Sequence, residues 1–335
     1  MLKLAIVIHA EEEFDWSCGF DIKNQTVTHS TELLQLVNEL LSLNAKVTLA
    51  LDYAFISSLS GKSVIKQLKP LQNHSIEFAA HLHPWVTPPY DSKIDYENGF
   101  YSFPGNLPKD VEYNKMKALT QGIHQLCGQK PKAYLAGRYG VGQNTYLHLE
   151  SLGYCVDLSI NAYFDFSAKG GPDYSKVDCS SFNSGKIKCL PHTSSIYCSI
   201  PYIEKIINNK PEIMYKLKNK FWYRLFKKIF KVNTYRLSPE GCSFEQMQHI
   251  TRVQEQLGVE EFVLSLHSSS LTVKGTPYSE SSEDVDELRV KVIEYIKWFI
   301  HSKKGECFLP SSFSYGCEEK RGEEYVKVIK KNHCI

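Results

Sequence analysis

Three places in this chain set proton-carrying and metal-ligating side chains at the end of an apolar run. Residues 4–16 read LAIVIHAEEEFDW, five apolar residues followed by His9, Glu11, Glu12, Glu13 and Asp15. His9 and Glu11 are two apart, and on extended backbone that spacing points both side chains the same way, which suits a shared metal or substrate. Taken alone, the stretch reads equally well as an acidic solvated turn after an ordinary strand. A second run, SIEFAA, leads into His81-Leu82-His83, two imidazoles on one side of a strand end, a common arrangement for zinc and related ions. A third, FVLSL, ends in His267. A lone histidine is usually structural, but three strand ends that carry ligands or bases predict one shared site. Ser268, Ser269 and Ser270 invite a nucleophile reading, yet they lack the strand–turn–helix G-x-S-x-G setting.

The elements around these strand ends must bring them together. A short continuous apolar run marks a strand covered on both faces. Such runs alternate here with helical periodicity. Ser30 or Thr31 is placed to cap a helix carrying Leu33, Leu36, Val37, Leu40 and Leu41. Strands are expected at 46–51, 75–80, 132–136, 154–160 and 261–266, and extended or hairpin structure at 186–202. Helices are expected at 64–71, 109–127 (ended by Gly128), 144–152 (closed by Gly153), 244–257 and 284–301. Repeated βα units predict parallel strands with their polar residues gathered at the carboxyl ends. The loop 86–108 is rich in Pro, Gly, Tyr and Phe, a composition more typical of a functional loop than of a connector.

The totals exclude several classes. At 335 residues and 42% hydrophobic content, the chain can bury the core of one large α/β domain. Lys and Arg number 39 against 37 acids, so the net charge of +2 exerts no global pull towards nucleic acid or membranes. The ten cysteines form no CxxC pair and no regular framework, and read as mostly reduced thiols. The first apolar run is too short for a signal-peptide core and none reaches membrane-span length, so the expected location is cytoplasmic. No internal repeat or low-complexity linker divides the chain. The expectation is one domain over 1–335 with an inserted basic helical segment at about 203–232.

Within that insertion, residues 216–231 put Phe221, Trp222, Leu225, Phe226 and Ile229 on one helical face. Lys218, Lys220, Arg224, Lys227, Lys228 and Lys231 surround it. Packing over the rest of the domain or against an oligomer partner is the simpler reading of such a helix. Peripheral contact with an anionic membrane, at its inner face, is the other.

Six segments, in order, resemble the polysaccharide deacetylases of the NodB-like carbohydrate esterase superfamily, and most closely their WalW-type branch. They are EEEFDW (11–16), AAHLHPWVTPPY (79–90), SFPGNLP (102–108), AGRYGVGQNT (136–145), GGPDY (170–174) and LHSSSLTVKGTPY (266–278). The resemblance implies an α/β fold, a distorted (β/α) barrel of about seven strands. It also implies a divalent metal, zinc first with Co, Ni or Mn as alternatives, bound by Glu11, His81 and His83. The implied activity is removal of N-acetyl groups from an amino sugar in bacterial surface polysaccharide or glycolipid assembly, so the expected partner is an N-acetylated sugar or polysaccharide precursor and not nucleic acid. Tyr139 lies in the segment similar to the one whose backbone N–H holds the oxyanion, and His267 in the one that supplies a general acid. Asp15, Trp16, Trp85, Arg138 and Asp173, in the same segments, are the expected substrate-binding residues. Relative to that pattern this chain has His9 where an aspartate base is usual, Leu135 where an arginine is usual, and Ser270 where a glutamate is usual. His9 is therefore the expected base, with Glu12, Glu13 and Asp15 expected to raise its pKa and a nearby metal to oppose protonation. The alternative is a catalytically inactive barrel that binds a glycan or a biosynthetic partner.

Overall fold

In the computed structural model, which describes residues 1–15, 19–217 and 221–312, the apolar runs form one curled sheet with helices over it. Its strands are β1 (Lys3–Ala10), β2 (Val47–Leu51), β3 (Ile76–Leu82), β4 (Ala133–Ala136), β5 (Val156–Asp157), β6 (Phe182–Ser184) and β7 (Ile187–Cys189). An antiparallel pair, β8 (Ser194–Tyr197) and β9 (Asn233–Arg236), forms a separate two-stranded sheet, and β10 (Glu261–His267) and β11 (Glu306–Cys307) return to the main sheet. The sheet order is β10-β1-β2-β3-β4-β5-β7-β6, with β11 also on β1. Every pairing is parallel except β6 with β7. Seven of the eight residues of β1 and all of β2 and β3 are buried, as strands covered on both faces require. Beyond β7 the chain ties the far end of the curl back to β10. His192 N donates to Ile160 O, Thr193 N to Val263 O, Leu237 N to Thr193 O and Ser265 N to Leu237 O.

Register sets the site. His9 is opposite His267 on β10 and Ala50 on β2, Ala50 is opposite Ala79, and His81 lies two residues beyond on the same face of β3. All three histidines therefore come to the carboxyl rim.

The helices are α1 (Ser30–Ser42), α2 (Tyr53–Ser57), α3 (Leu59–Leu68), α4 (Lys109–Cys127) and α5 (Thr145–Leu152), then α6 (Pro201–Asn209), α7 (Glu212–Leu217), α8 (Phe221–Ile229), α9 (Phe244–Gln256) and α10 (Ser282–His301). The expected span of α4 is met, and Gly128, at φ +80°, takes the left-handed position that ends it. Three expectations change. Neither Ser30 nor Thr31 caps α1; His29 occupies the cap position, with its ring bonded to Glu13 and Ser268 instead of the helix. The strand expected at 154–160 shrinks to two residues, because Ser159 Oγ takes the Ala136 N–H that a longer ladder would use. Of the basic segment, 218–220 lie outside the described residues, and α7 and α8 are helical on either side of them. Phe226 packs on the core, whereas Leu225 and Ile229, expected on the same face, are exposed. Seven cysteines are free thiols among the described residues.

Candidate active site

A cavity of about 180 Å³ opens at the rim of the sheet, lined by residues from β1, β3, β4 and β10 and the loops that follow them. On the β1–β3 side, Glu11 Oε2 lies 3.0 Å from His81 Nε2 and 3.6 Å from His83 Nε2. The protons on these rings are committed elsewhere. His81 Nδ1 is 3.0 Å from the Leu135 carbonyl, which only accepts, so Nδ1 carries the hydrogen. His83 Nδ1 lies 2.9 Å from the Glu12 carboxylate and donates to it. Burial lowers the pKa of both histidines and outweighs the upward pull of Glu11 on each and of Asp52 on His83, so each is a neutral ring with an Nε2 lone pair. Two lone pairs thus face one carboxylate oxygen, an arrangement that asks for a cation between them. The separations bracket the edge of about 3.4 Å that a tetrahedron with arms of about 2.1 Å would have. His9, Glu11 and His81 also offer ligand atoms that all lie within 4.8 Å of one another, with His9 Nδ1 3.9 Å from Glu11.

Support for His83 comes from residues the sequence did not single out for this role. Trp85 stacks on the His83 ring at 4.3 Å and donates its indole N–H to Glu12. Asp52 caps α2 through Phe55 N. Burial raises both carboxyls, and the hydrogen bond between them raises Asp52 while lowering Glu12, which puts the shared proton on Asp52. Gly137 permits the approach of β4, because a Cβ there would lie 2.7 Å from His83 Cδ2 and 2.5 Å from the Leu82 carbonyl.

The β9–β10 side is charged differently. His267 Nδ1 donates to Glu240 at 2.8 Å, and its Nε2 faces Glu11 at 4.0 Å. Burial opposes the imidazolium, but Glu240 and then Glu11 outweigh it and hold the pKa at about 9. Glu240 also accepts from the His267 N–H and from Ser270 Oγ, and pairs with Arg236, whose guanidinium donates to the Tyr139 hydroxyl. Neither Glu240 nor Arg236 was foreseen. A signal existed for the first: Glu240 is the sole acid between Glu212 and Glu245.

His9 sits between the two sides, 4.6 Å from the ring of His267 and 5.0 Å from that of His81. Its expected rise in pKa is reversed. Glu12 is bonded to His83 and Trp85, and Glu13 to Thr28 and His29, so neither faces it. Burial, then the charges of His267 and His81, lowers it well below the usual value, and its Nε2 is buried without a partner.

Of the expected residues, His9, Glu11, His81, His83, Trp85, Arg138, Tyr139 and His267 all line the cavity. Asp15 is exposed and does not line it. Asp173 does not reach it either, since its carboxylate accepts from Ser175 N in a local turn. Trp16 lies outside the described residues. Within the serine run, Ser268 bonds His29 and Glu11 N and Ser270 bonds Glu240, whereas Ser269 lines the cavity.

No protein-family model matches the sequence, and no curated protein matches it. Solved structures do. One is a protein from Parabacteroides distasonis described as a glycoside hydrolase/deacetylase, with 9% identity, 91% of this chain and 67% of that one covered, and a TM-score of 0.50. Others are the chitin deacetylase of Colletotrichum lindemuthianum, with 12% identity, 95% and 93% covered and a TM-score of 0.40, and a Mycobacterium smegmatis protein described as a polysaccharide deacetylase, with 12% identity, 95% and 96% covered and a TM-score of 0.43. At these identities the likeness is one of fold. The chain has a curled, barrel-like α/β fold of the kind found in a glycoside hydrolase/deacetylase. Among the described residues no helix is long and apolar enough to cross a membrane.

Proposed function

We propose that this chain is a single-domain, metal-dependent carbohydrate N-deacetylase. The observation that carries the reading is the pair of lone pairs on His81 and His83 turned to one oxygen of Glu11. These three residues are the proposed ligands of a divalent cation; imidazole and carboxylate suit zinc, with Co, Ni or Mn as alternatives. When bound, such an ion polarises an acetyl carbonyl and acidifies water. The chain supplies the proton transfers. Neutral His9, with Nε2 unpartnered, is the base. His267, an imidazolium at neutral pH, donates to the departing amine, and Glu240 orients it. Tyr139 supplies a backbone donor to the oxyanion, with its φ of +61° held by the turn at 137–140. Trp85, Phe14 and Phe20 give the sugar an apolar wall, with ring centroids 4.9–5.9 Å apart. The substrate is an N-acetylated precursor of a surface polysaccharide or glycolipid, and the basic segment 216–231 is suited to meeting it at the inner face of a membrane.

The test is metal analysis of the purified protein followed by acetate release from acetylated amino-sugar oligomers in free, nucleotide-linked and lipid-linked form. One ion per chain with acetate released is the expected result; bound glycan without release from any form would sink the catalytic reading. It would favour an inactive glycan-binding barrel, to which the replacement of the usual aspartate by His9 lends its support.

A further inference from the structure

Arg138 is a charge in the cavity wall that nothing in the described chain neutralises. Its guanidinium is sandwiched between two phenyl rings, 4.0 Å from the centre of Phe103 and 4.8 Å from that of Phe20. One of its nitrogens donates to Gly99 O and Ser102 Oγ, which fixes the plane. Among the described residues it makes no ion pair, and its remaining N–H donors have no hydrogen-bond partner there. Among the described residues the cavity it lines has Glu11 as its sole acid, and Glu11 is already flanked by His81, His83 and His267. A half-buried guanidinium stacked flat between aromatic faces is a preorganised fork for an oxyanion, whereas a neutral sugar leaves its charge unanswered.

We propose that the cavity takes an acetylated sugar bearing an anionic oxyacid group, a carboxylate or a phosphate, and that Arg138 determines specificity for that charge. This rests on the carbohydrate reading above and names its substrate class. The backbone argues that the position is held for the purpose. Arg138 and Tyr139 both have positive φ, +54° and +61°, a conformation that L residues other than glycine seldom adopt. Arg138 therefore carries a side chain at a place where glycine would relieve strain.

The experiment is calorimetric binding of four probes, N-acetylglucosamine, its uronic acid, its 1-phosphate and its 6-phosphate, to the wild type, Arg138→Lys and Arg138→Met. The methionine keeps packing against the rings without charge; the lysine keeps charge without the planar fork. At least one anionic probe is expected to bind about ten-fold or more tightly than the neutral sugar. That advantage should shrink between low and high salt, vanish in Arg138→Met and survive in part in Arg138→Lys. Which probe gains separates carboxylate from phosphate. A melting temperature at the wild-type level shows that a variant is folded, and the wild-type salt dependence tests the charge without any variant. Equal affinity for neutral and anionic probes, no binding of any anionic probe, or a preference that persists in folded Arg138→Met would overturn the proposal. Acetate release separates the two readings. Anionic preference in binding with no acetate from any probe would sink the deacetylase reading and leave Arg138 standing. Equal turnover of the neutral sugar, unchanged in Arg138→Met, would do the reverse.

Discussion

Two of the histidine–glutamate contacts around the cavity are of nearly equal length and opposite electrostatic outcome. His81 lies 3.0 Å from Glu11 and its pKa is lowered; His267 lies 2.8 Å from Glu240 and is held at about 9. Distance does not distinguish them. His81 is buried and His267 half-buried, and burial pushes both towards the neutral ring. His81 spends its proton on the Leu135 carbonyl and has His83 as a second imidazole beside it. His267 has a carboxylate on each nitrogen, Glu240 at Nδ1 and Glu11 beyond Nε2. One side of the site thus offers lone pairs and the other offers a proton, which is the division of labour that amide hydrolysis needs.

The largest effect should come from destroying the lone-pair side. Glu11→Gln is expected to bring bound divalent cation, measured by elemental analysis, from one per chain to near zero, with acetate release falling below detection. Retained metal in that variant would move the ligand set to His9 or to the Glu12, Asp52 and His83 group. Next is the base between the two sides. His9→Ala should cost about 10²–10⁴-fold in turnover with metal content unchanged; a variant at wild-type rate would remove His9 from the proton path.

Glu240→Gln sharpens the comparison itself, because it leaves the His267 ring in place and removes its main support. The imidazole signal of His267, followed by NMR titration, should then turn over well below its wild-type value of about 9. Turnover at neutral pH should fall by about 10²-fold or more as the acid is lost. An unchanged titration would mean that Glu11 alone holds the charge.

The smallest expected effect is on stability. The folded pKa of His267 is above its unfolded value of 6.5, so its contribution is fully present below 6.5 and is lost as pH rises through about 9. Melting temperature should therefore decline by a few degrees more across that window in the wild type than in Glu240→Gln. Parallel profiles would show that the pair contributes nothing net to folding.

Much of the scaffold was legible because it is local. The continuous apolar runs located β1, β3 and β10, and Gly128 marked the end of α4. Where local pattern competes with side-chain bonding, the reading failed: Ser159 truncates β5, and His29 turns from the helix it precedes to Glu13 and Ser268. Asp173 was adjacent to the right residues in sequence but satisfies a turn.

The sequence by itself determined which chemistry is available, since residue type and two-residue spacing on strands bring His9, Glu11, His81, His83 and His267 to one rim. Tertiary structure decided the state of each group. Whether an imidazole is a ligand, a base or an acid depends on which nitrogen is committed, how deeply the ring is buried and which carboxylate stands opposite. Those partners, Leu135, Glu12, Glu240 and Arg236, come from strands and loops far away in the chain, and only folding brings them within bonding distance.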